Sequence, residues 1–321
     1  MIDTLDLILR QRDFPSVNFK DTISLLQARC ENDTDFNFLS KGFDRTGKYN
    51  LHVQYHYKHD YHIHATEDCI RLNKCSLCKF IHGDNFPHTL SLNEAKAAIE
   101  LLSDRLDLPI MQATVTRVDF GANIQVNQPV RAYVNRCAKF KRTEPVIFQH
   151  GINFYTEPQL ALYDKKKEAK KKEIDGYFIR YELRIKKPTK SLDMKIVLVE
   201  DLLSSNTYSR LLDMWYDAFC QIQLKPITCS KILPERIEDL TSLKKECLLQ
   251  VLSDDYEEIM TIIKIAHEEN TLSDRNYSTI KKAIKELAPN SNDNSNSIEE
   301  LRIKIKKIVE ETKSQLLNEY I

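Results

Sequence analysis

Apolar and polar residues alternate along several short segments of the first two hundred residues, which is the pattern of half-buried β-strands. Between these segments, apolar residues recur at helical spacing from Leu92 to Leu106, and Ser91 and Glu94 are placed as in a helix capping box. The mixture predicts an α+β fold with an antiparallel sheet and helices on one face. The predicted strands lie at 51–55, 61–65, 69–73, 113–126, 159–165 and 177–186.

After about residue 200 the pattern becomes helical. An apolar stripe runs from Tyr208 to Phe219, and a last amphipathic helix at 298–318 is charged enough to be a solvated arm or a partner-binding helix. Further helices are predicted at 239–252, 254–269 and 273–287. The predicted division is an α+β domain at 1–200, a helical region at 201–288, a polar linker at 289–297 and a C-terminal amphipathic helix at 298–321.

Composition places the chain among globular proteins, since 42% of its residues are hydrophobic and 29% are charged. No run of 18 apolar residues is present, so a membrane span is not expected. The first residues lack the basic and apolar stretches of a secretory signal. The eight cysteines are scattered and not arranged as a disulfide scaffold. These features predict a cytoplasmic protein with reduced thiols.

The charge is unevenly distributed although the net charge is zero. Residues 131–190 carry 16 Lys and Arg against 7 Asp and Glu, a net charge of +9, whereas the flanking regions are acidic. A basic block of this kind is expected to bind a polyanion such as nucleic acid. A solvated lysine-rich loop would produce the same composition.

Three predicted strands carry the candidate chemistry on one face each. Strand alternation puts Arg117 and Asp119 on one face of their segment, and Tyr163 shares a face with Lys165. Apolar residues fill the odd positions from Tyr177 to Lys186, and the even positions hold Arg180, Glu182, Arg184 and Lys186. If the three strands share one sheet, two acids, a tyrosine and several cations meet on one face.

That set of side chains suits phosphodiester transesterification. Two carboxylates can hold a divalent cation, and a tyrosine hydroxyl can attack phosphorus and form a phosphotyrosine bond. The lysine can stabilise the phenolate, and arginines can hold neighbouring phosphates. A solvated sheet face with ordinary salt bridges fits the same alternation.

Four motifs in order resemble a known family. They are Ser76-Leu77-Cys78-Lys79-Phe80-Ile81-His82-Gly83-Asp84-Asn85, Thr116-Arg117-Val118-Asp119-Phe120-Gly121-Ala122-Asn123, Leu162-Tyr163-Asp164-Lys165-Lys166-Lys167-Glu168 and Arg180-Tyr181-Glu182-Leu183-Arg184. With the Met-Ile-Asp start, they resemble the phage and plasmid replication initiators related to the filamentous-phage gene II protein, and more distantly the plasmid replication initiation factors. The resemblance covers about residues 50–220. Cys78 departs from it, because relatives often have proline there.

The resemblance implies a rolling-circle initiator with a Rep nuclease-like fold. Such an enzyme nicks one strand of a single-stranded or supercoiled origin, stays joined to the 5′ end, and leaves a 3′-OH for the polymerase. By the same resemblance Tyr163 is the nucleophile, Asp119 and Glu182 hold Mg²⁺ or Mn²⁺, and Glu168 is a candidate third ligand. A host helicase is a candidate partner of the helical region.

The expected DNA-binding cations follow from the basic block and the motifs. The run from Lys165 to Lys172 has no apolar face and directly follows the candidate nucleophile, where it can hold the DNA backbone. A solvated loop is the alternative for this run. The full predicted set is Lys79, Arg117, Lys166, Lys167, Lys170, Lys171, Lys172, Arg180, Arg184 and Lys186.

The spacing of histidines and cysteines suggests two further metal sites. His62 and His64 fit the His-hydrophobe-His metal-binding signature of the wider rolling-circle superfamily. The alternative is an exposed or phosphate-contacting strand in a histidine-rich part of the sequence. A zinc site would need the Cys-x-x-Cys pair together with two further ligands nearby. Its four members would be Cys69, Cys75, Cys78 and His82.

Alternative nucleophiles and functions also remain open. Tyr155 and Tyr181 lie near the site, although alternation places Tyr181 on the apolar face. A non-enzymatic DNA-binding replication or control protein could keep the fold without the chemistry. A metal-dependent RNA nuclease would cleave without a protein–nucleic acid adduct. The chain has no Walker phosphate loop, which argues against an ATP-driven helicase.

Overall fold

The computed structural model describes residues 1–14, 18–32, 36–43, 49–55, 61–66, 68–171, 173–225, 264–265, 267–269, 273–285 and 297–318. The predicted helix at 239–252 and most of the predicted segments 254–269 and 289–297 lie outside the described residues. Within them, the fold is α+β, with a large antiparallel sheet and a helical C-terminal part.

Ten of the described strands form one antiparallel sheet in the order β2-β3-β4-β5-β1-β6-β11-β10-β9-β8. The strands β7 and β12, which are distant in the sequence, form a separate two-stranded antiparallel sheet. The strands are β1 (Ile2–Arg10), β2 (Phe36–Phe43), β3 (Tyr49–Tyr55), β4 (His62–Ala65), β5 (Cys69–Ser76), β6 (Thr114–Val126), β7 (Cys137–Phe140), β8 (Val146–Phe148), β9 (Gly151–Phe154), β10 (Gln159–Asp164), β11 (Tyr177–Ile185) and β12 (Ile222–Leu224).

Helices connect and cover the strands, with 3-10 turns at Gln11–Asp13 and Ile110–Gln112. The helices are α1 (Phe19–Asn32), α2 (Leu77–His82), α3 (Leu92–Leu106), α4 (Val130–Val134), α5 (Lys165–Glu168), α6 (Pro188–Ser191), α7 (Val199–Leu202), α8 (Ser205–Cys220), α9 (Asp274–Lys285) and α10 (Ser297–Asn318). In α3 the predicted bounds are confirmed, and the Ser91 and Glu94 side chains both make the capping-box hydrogen bonds.

The central strands bury one apolar face beneath α8. Trp215 stacks on Tyr181 of β11 at 5.0 Å between ring centroids and meets Phe120 of β6 edge-on. Two hydrogen bonds reinforce this contact, because the Tyr181 hydroxyl donates to the Trp215 carbonyl and the Trp215 indole donates to the Tyr181 carbonyl. Trp215 is fully buried, so α8 supplies the centre of the core on this side of the sheet.

The C-terminal helix α10 packs on α8 and on β6. Its apolar residues recur at helical spacing and are buried along one side, among them Leu301, Ile305 and Val309. At the start of the helix, Glu300 accepts a hydrogen bond from the Tyr133 hydroxyl and from Lys304. The interpretation of this segment as a solvated arm is therefore wrong, because its apolar side is buried.

Within the described part of the chain, no helix combines the length and the apolar character needed to cross a membrane.

Candidate active site

The three strands that carry the candidate chemistry are neighbours in the sheet, in the order β6-β11-β10. Their register sets the polar residues side by side. Arg180 of β11 lies between Tyr163 of β10 and Asn123 of β6, and Arg184 lies opposite Asp119. Because side chains alternate between the faces, these residues share the face opposite to Trp215. The expectation that one sheet face gathers the acids, the tyrosine and the arginines is confirmed.

Glu182 is the centre of this cluster. Its Oε1 accepts hydrogen bonds from the Tyr163 hydroxyl at 2.8 Å and from Arg180 Nε at 2.9 Å. Its Oε2 accepts two from Arg184, at 2.9 Å from Nε and 2.7 Å from the terminal nitrogen. Glu182 and Arg180 are buried, and Tyr163 is only 7% exposed. The candidate nucleophile therefore already donates its proton toward a carboxylate.

The surroundings of the cluster shift the pKa values of Glu182 and Tyr163 in opposite directions. Burial disfavours the charged form of Glu182, but Arg180 and Arg184 outweigh this cost and hold its pKa below the usual range. Burial raises the pKa of Tyr163 well above its usual value, and the negative charge of Glu182 adds to this shift. The charge of Arg180 acts in the opposite direction on Tyr163. Extra positive charge near the phenol would favour phenolate formation.

Asp119 lies beside this cluster and is held by Arg117. The Arg117 guanidinium binds it with two hydrogen bonds of 2.8 and 2.6 Å, and Asp6 lies 3.9 Å from the same arginine. Burial nevertheless dominates and raises the pKa of Asp119 to about 6, with the charge of Glu182 acting in the same direction. The charge of Glu182 thus adds to the effect of burial on Asp119, and a bound cation would oppose both.

Asp3 is a member of the cluster that sequence reasoning did not assign. Its Oδ2 lies 2.9 Å from an Arg180 nitrogen, and its Oδ1 accepts a hydrogen bond from the Ser76 hydroxyl at 3.2 Å. The pairing of β1 with β6 has a register shift between Ile2 and Thr4, so an extra residue is accommodated there. Simple alternation would place Asp3 with Leu5 in the core, but the bulge turns it to the polar face.

Two glycines, Gly121 and Gly151, leave room for the residues of this cluster on the neighbouring strands. A Cβ at Gly121 would lie 2.3 Å from the Tyr181 carbonyl oxygen and 3.0 Å from Glu182 Cγ. A Cβ at Gly151 would lie 2.5 Å from Tyr163 Cα. A glycine inside a strand often marks such a close approach of neighbouring strands. Gly121 and Gly151 were therefore the signal in the sequence for this close approach.

Lys165 and Glu168 pair with each other. Lys165 begins α5 instead of continuing β10, so strand alternation does not place it, yet its Nζ lies 5.9 Å from the Tyr163 ring centroid. The buried Lys165 ammonium binds Glu168 Oε2 at 2.7 Å. The structure therefore brings Lys165 to the tyrosine, and it holds Glu168 on the lysine and not with Asp119 and Glu182.

The predicted DNA-binding cations fall into two groups. Arg117, Arg180 and Arg184 lie inside the cluster and are bound to carboxylates. Most of the others are exposed or half-buried at the surface, where Lys167 pairs with Asp164 and Lys171 pairs with Asp84. The surface group consists of Lys79, Lys166, Lys167, Lys170, Lys171 and Lys186, and Lys172 lies outside the described residues.

The two spacing-based metal sites are not assembled with the cluster. His62 and His64 lie on β4, three strands from Asp119 on β6, which is about 14 Å along the sheet. Cys69 and Cys75 are six residues apart on the extended strand β5, about 20 Å, so they cannot share one zinc ion. Among the residues that the structure describes, no three His, Cys, Asp or Glu side chains are grouped to hold a metal.

The alternative tyrosines lie in different environments. Tyr181 is buried on the apolar face, and its hydroxyl is bound to the Trp215 carbonyl, so it has no access to a phosphate. Tyr155 follows β9 and is 58% exposed, with its hydroxyl 3.5 Å from Asn153 Nδ2. Tyr163 differs from both because a carboxylate accepts a hydrogen bond from its hydroxyl and a lysine lies over its ring.

Asp119 and Glu182 offer the donor set that suits a hydrated Mg²⁺ or Mn²⁺, which binds one or two carboxylates and keeps several waters. The two carboxylates lie on neighbouring strands β6 and β11 and share one face of the sheet, and this placement is the observation that favours a cation there. Arginines occupy these carboxylates in the structure, so a cation would have to displace Arg117 or Arg184.

Comparison with known proteins gives no further guide to the site. The chain matches no protein-family model, no curated protein and no solved structure.

Proposed function

We propose that this chain is a rolling-circle replication initiator, a tyrosine transesterase that nicks origin DNA and stays joined to its 5′ end. The observation that carries the proposal is the hydrogen bond from the Tyr163 hydroxyl to Glu182, inside a cluster of arginines. Support also comes from the four motifs in order, because their residues supply the cluster. The Rep nuclease-like form of the α+β fold belongs to the same proposal.

The proposed reaction exchanges one ester for another. The Tyr163 oxygen attacks the phosphorus, its proton passes to Glu182, and the bond from phosphorus to the 3′ oxygen breaks. The 3′ oxygen takes up the proton that Glu182 accepted and leaves as a hydroxyl, and the 5′ phosphate remains on Tyr163. Because one phosphodiester replaces another, the energy of the broken bond is kept for later rejoining, and no other reactant is consumed.

The surrounding cations have separate roles in this proposal. Lys165, above the ring, would stabilise the phenolate as its charge develops. Arg180 and Arg184 would bind the oxygens of the scissile phosphate, since guanidinium groups match phosphate geometry. A divalent cation on Asp119 and Glu182 would polarise the phosphate. The exposed lysines after β10 would hold the DNA backbone in a salt-dependent manner.

A second candidate is a DNA-binding replication or control protein without nicking activity. The observation that favours it is the saturation of the acids, because both Asp119 and Glu182 are already paired with arginines. A structural network would satisfy the same contacts. This candidate predicts salt-sensitive DNA binding without cleavage.

The test is adduct formation. Labelled single-stranded DNA from the candidate origin of the replicon is incubated with the protein and Mg²⁺ or Mn²⁺, and the products are separated on a denaturing gel. We expect a protein–DNA adduct that disappears with chelator and in Tyr163→Phe. The matched control is Tyr155→Phe, which removes the hydroxyl of the exposed neighbour and should keep the adduct.

Each other outcome points elsewhere. An adduct that survives Tyr163→Phe and is lost in Tyr155→Phe would move the nucleophile and overturn the role of Tyr163. Cleavage of DNA or RNA without an adduct would indicate an ordinary metal-dependent nuclease. Binding without cleavage, over several origin sequences and with both metals, would establish the DNA-binding protein instead.

A further inference from the structure

An exposed aromatic surface adjoins Tyr163 at the edge of the sheet, and neither the reaction nor the motifs account for it. Register places Phe148 of β8 opposite Gly151, which in turn lies opposite Tyr163. The Phe148 and Tyr163 ring centroids are 6.2 Å apart. Because Gly151 has no side chain, nothing from β9 separates the two rings. Phe148 is 37% exposed, so part of its side chain is accessible to solvent.

The same face carries further groups suited to a nucleotide base. Val146 of β8 lies opposite Asn153, and Asn153 lies opposite Ala161 of β10, all on the face that bears Phe148. Tyr155 lies next to Asn153 and is exposed. The surface thus combines two aromatic rings, an aliphatic side chain and a carboxamide on the sheet face that also bears Tyr163.

We infer that this aromatic surface, formed by Phe148, Val146, Asn153 and Tyr155, binds an unpaired base of single-stranded DNA next to the scissile phosphate. Aromatic side chains on a sheet surface stack with bases irrespective of sequence. The four residues belong to the segment 131–190, and the net charge of +9 of this segment is complementary to a nucleic acid backbone. A base is flat and apolar on its faces, which matches an exposed ring beside a polar cluster.

The consequence is a preference for single strands. A base in a duplex is stacked on both sides and cannot reach Phe148, so a duplex gains only the contacts to phosphates. The inference rests on the proposed function for the identity of the scissile phosphate, but binding itself requires no cleavage. It is therefore measurable in the Tyr163→Phe background.

The test measures the binding of fluorescein-labelled oligo(dT) of 12 nucleotides by fluorescence polarisation, in the full chain with Tyr163→Phe. We expect Phe148→Ala to weaken binding by roughly 5- to 100-fold, as for the loss of one stacked base. The matched control is Ile147→Ala, on the same strand with its side chain 76% exposed on the opposite face. It should change the affinity less than 2-fold, and a 12-base-pair duplex should bind both variants equally.

A second variant gives a direct signal. Phe148→Trp keeps an aromatic ring and adds an exposed indole, whereas Trp215, the only tryptophan in the sequence, is fully buried. Oligo(dT) should quench the new emission and bind with nearly unchanged affinity. Equal binding of oligo(dT) by Phe148→Ala and Ile147→Ala, or no quenching in Phe148→Trp, would overturn the inference.

Two results separate this inference from its alternatives. If Phe148→Ala lowers the molar mass measured by light scattering, the surface binds a second copy of the chain and the inference is wrong. If the proposed adduct never forms while Phe148→Ala still loses oligo(dT) binding selectively, the base-binding surface stands and the nicking proposal fails.

Discussion

The two faces of the central sheet are built from the same strands and differ in almost every other respect. On one face, Phe120 and Tyr181 pack against Trp215 of α8. On the other, Glu182 and Arg180 are buried among charges. The apolar face stabilises the fold by removing surface from water. Buried ion pairs contribute little net stability, because desolvation offsets their attraction. A folding requirement therefore accounts for the first face and not for the second.

The largest expected effect is on the polar face. Glu182→Gln should lower nicking by about 10²- to 10⁴-fold, the usual contribution of a general base, because the amide cannot take the proton from Tyr163. Single-turnover rates of adduct formation measure this. The matched control is Glu300→Gln. Glu300 lies on α10 and accepts hydrogen bonds from Tyr133 and Lys304, outside the Glu182 cluster. Equal rates for the two folded variants would remove Glu182 from the reaction.

On the apolar face, the effect should be on stability alone. Trp215→Ala removes the central ring of the core and should lower the free energy of unfolding by about 3–5 kcal/mol. Urea unfolding measures this, with Ile303→Ala at an exposed position of α10 as a control that should cost little. Below the unfolding transition, the folded fraction of Trp215→Ala should nick at nearly the normal rate. A specific rate reduced 100-fold would mean that the two faces are not separable.

Asp119 makes stability depend on pH. Its pKa of about 6 in the folded chain exceeds the value of about 3.9 in an unfolded chain, so the folded state binds this proton more tightly. The resulting stabilisation is complete below pH 4 and is lost as the pH rises through 6. Relative to Asp119→Asn, the native chain should lose about 2 kcal/mol of unfolding free energy between pH 4 and 7.5. Urea unfolding at the two pH values measures the difference.

The control for this dependence is Asp213→Asn, which changes an exposed carboxylate on α8 that pairs with Lys313. This variant retains Asp119, so it should lose as much stability between pH 4 and 7.5 as the native chain. A parallel pH dependence in the native chain and Asp119→Asn would show that Asp119 is not the group that titrates. Millimolar Mg²⁺ should reduce the dependence, because a bound cation favours the charged carboxylate.

The smallest expected effect concerns Asp3, which positions Arg180. Asp3→Asn keeps the shape of the side chain and removes its charge. Arg180 should then keep its ion pair with Glu182 but should no longer be held in the same orientation. We expect an unfolding cost of about 1–2 kcal/mol and a kcat about 10-fold lower, with KM nearly unchanged. Asp3→Glu should restore part of kcat. A loss of stability with unchanged kcat would reduce Asp3 to a structural role.

Regular segments were predictable from the sequence because periodicity is sufficient for them. The odd and even positions of β11 separate the core from the cluster as alternation requires, and α3 has the predicted bounds. The same alternation brought Tyr163, Glu182 and Arg180 together once the strands proved to be neighbours. A local pattern carries this information, since each strand needs one apolar face.

Interactions between distant segments were not predictable. The bulge that turns Asp3 to the polar face depends on the pairing of β1 with β6, which no local pattern encodes. Lys165 leaves the strand because Asp164 caps a helical turn, accepting a hydrogen bond from the Lys167 backbone. The burial of α10 depends on a complementary surface on α8, which the sequence of α10 does not reveal. Its many charged residues therefore suggested a solvated arm. How the arginines saturate both acids is likewise a property of the assembled sheet.

The most direct test of the account is to locate the bond between protein and DNA. The adduct is trimmed with nuclease, digested with trypsin and analysed by tandem mass spectrometry. The expected tryptic peptide, 143–165, contains both Tyr155 and Tyr163, so fragment ions between them decide the site. The account predicts a nucleotide mass on Tyr163 alone. The same mass on Tyr155, or on any residue outside the Glu182 cluster, would contradict it.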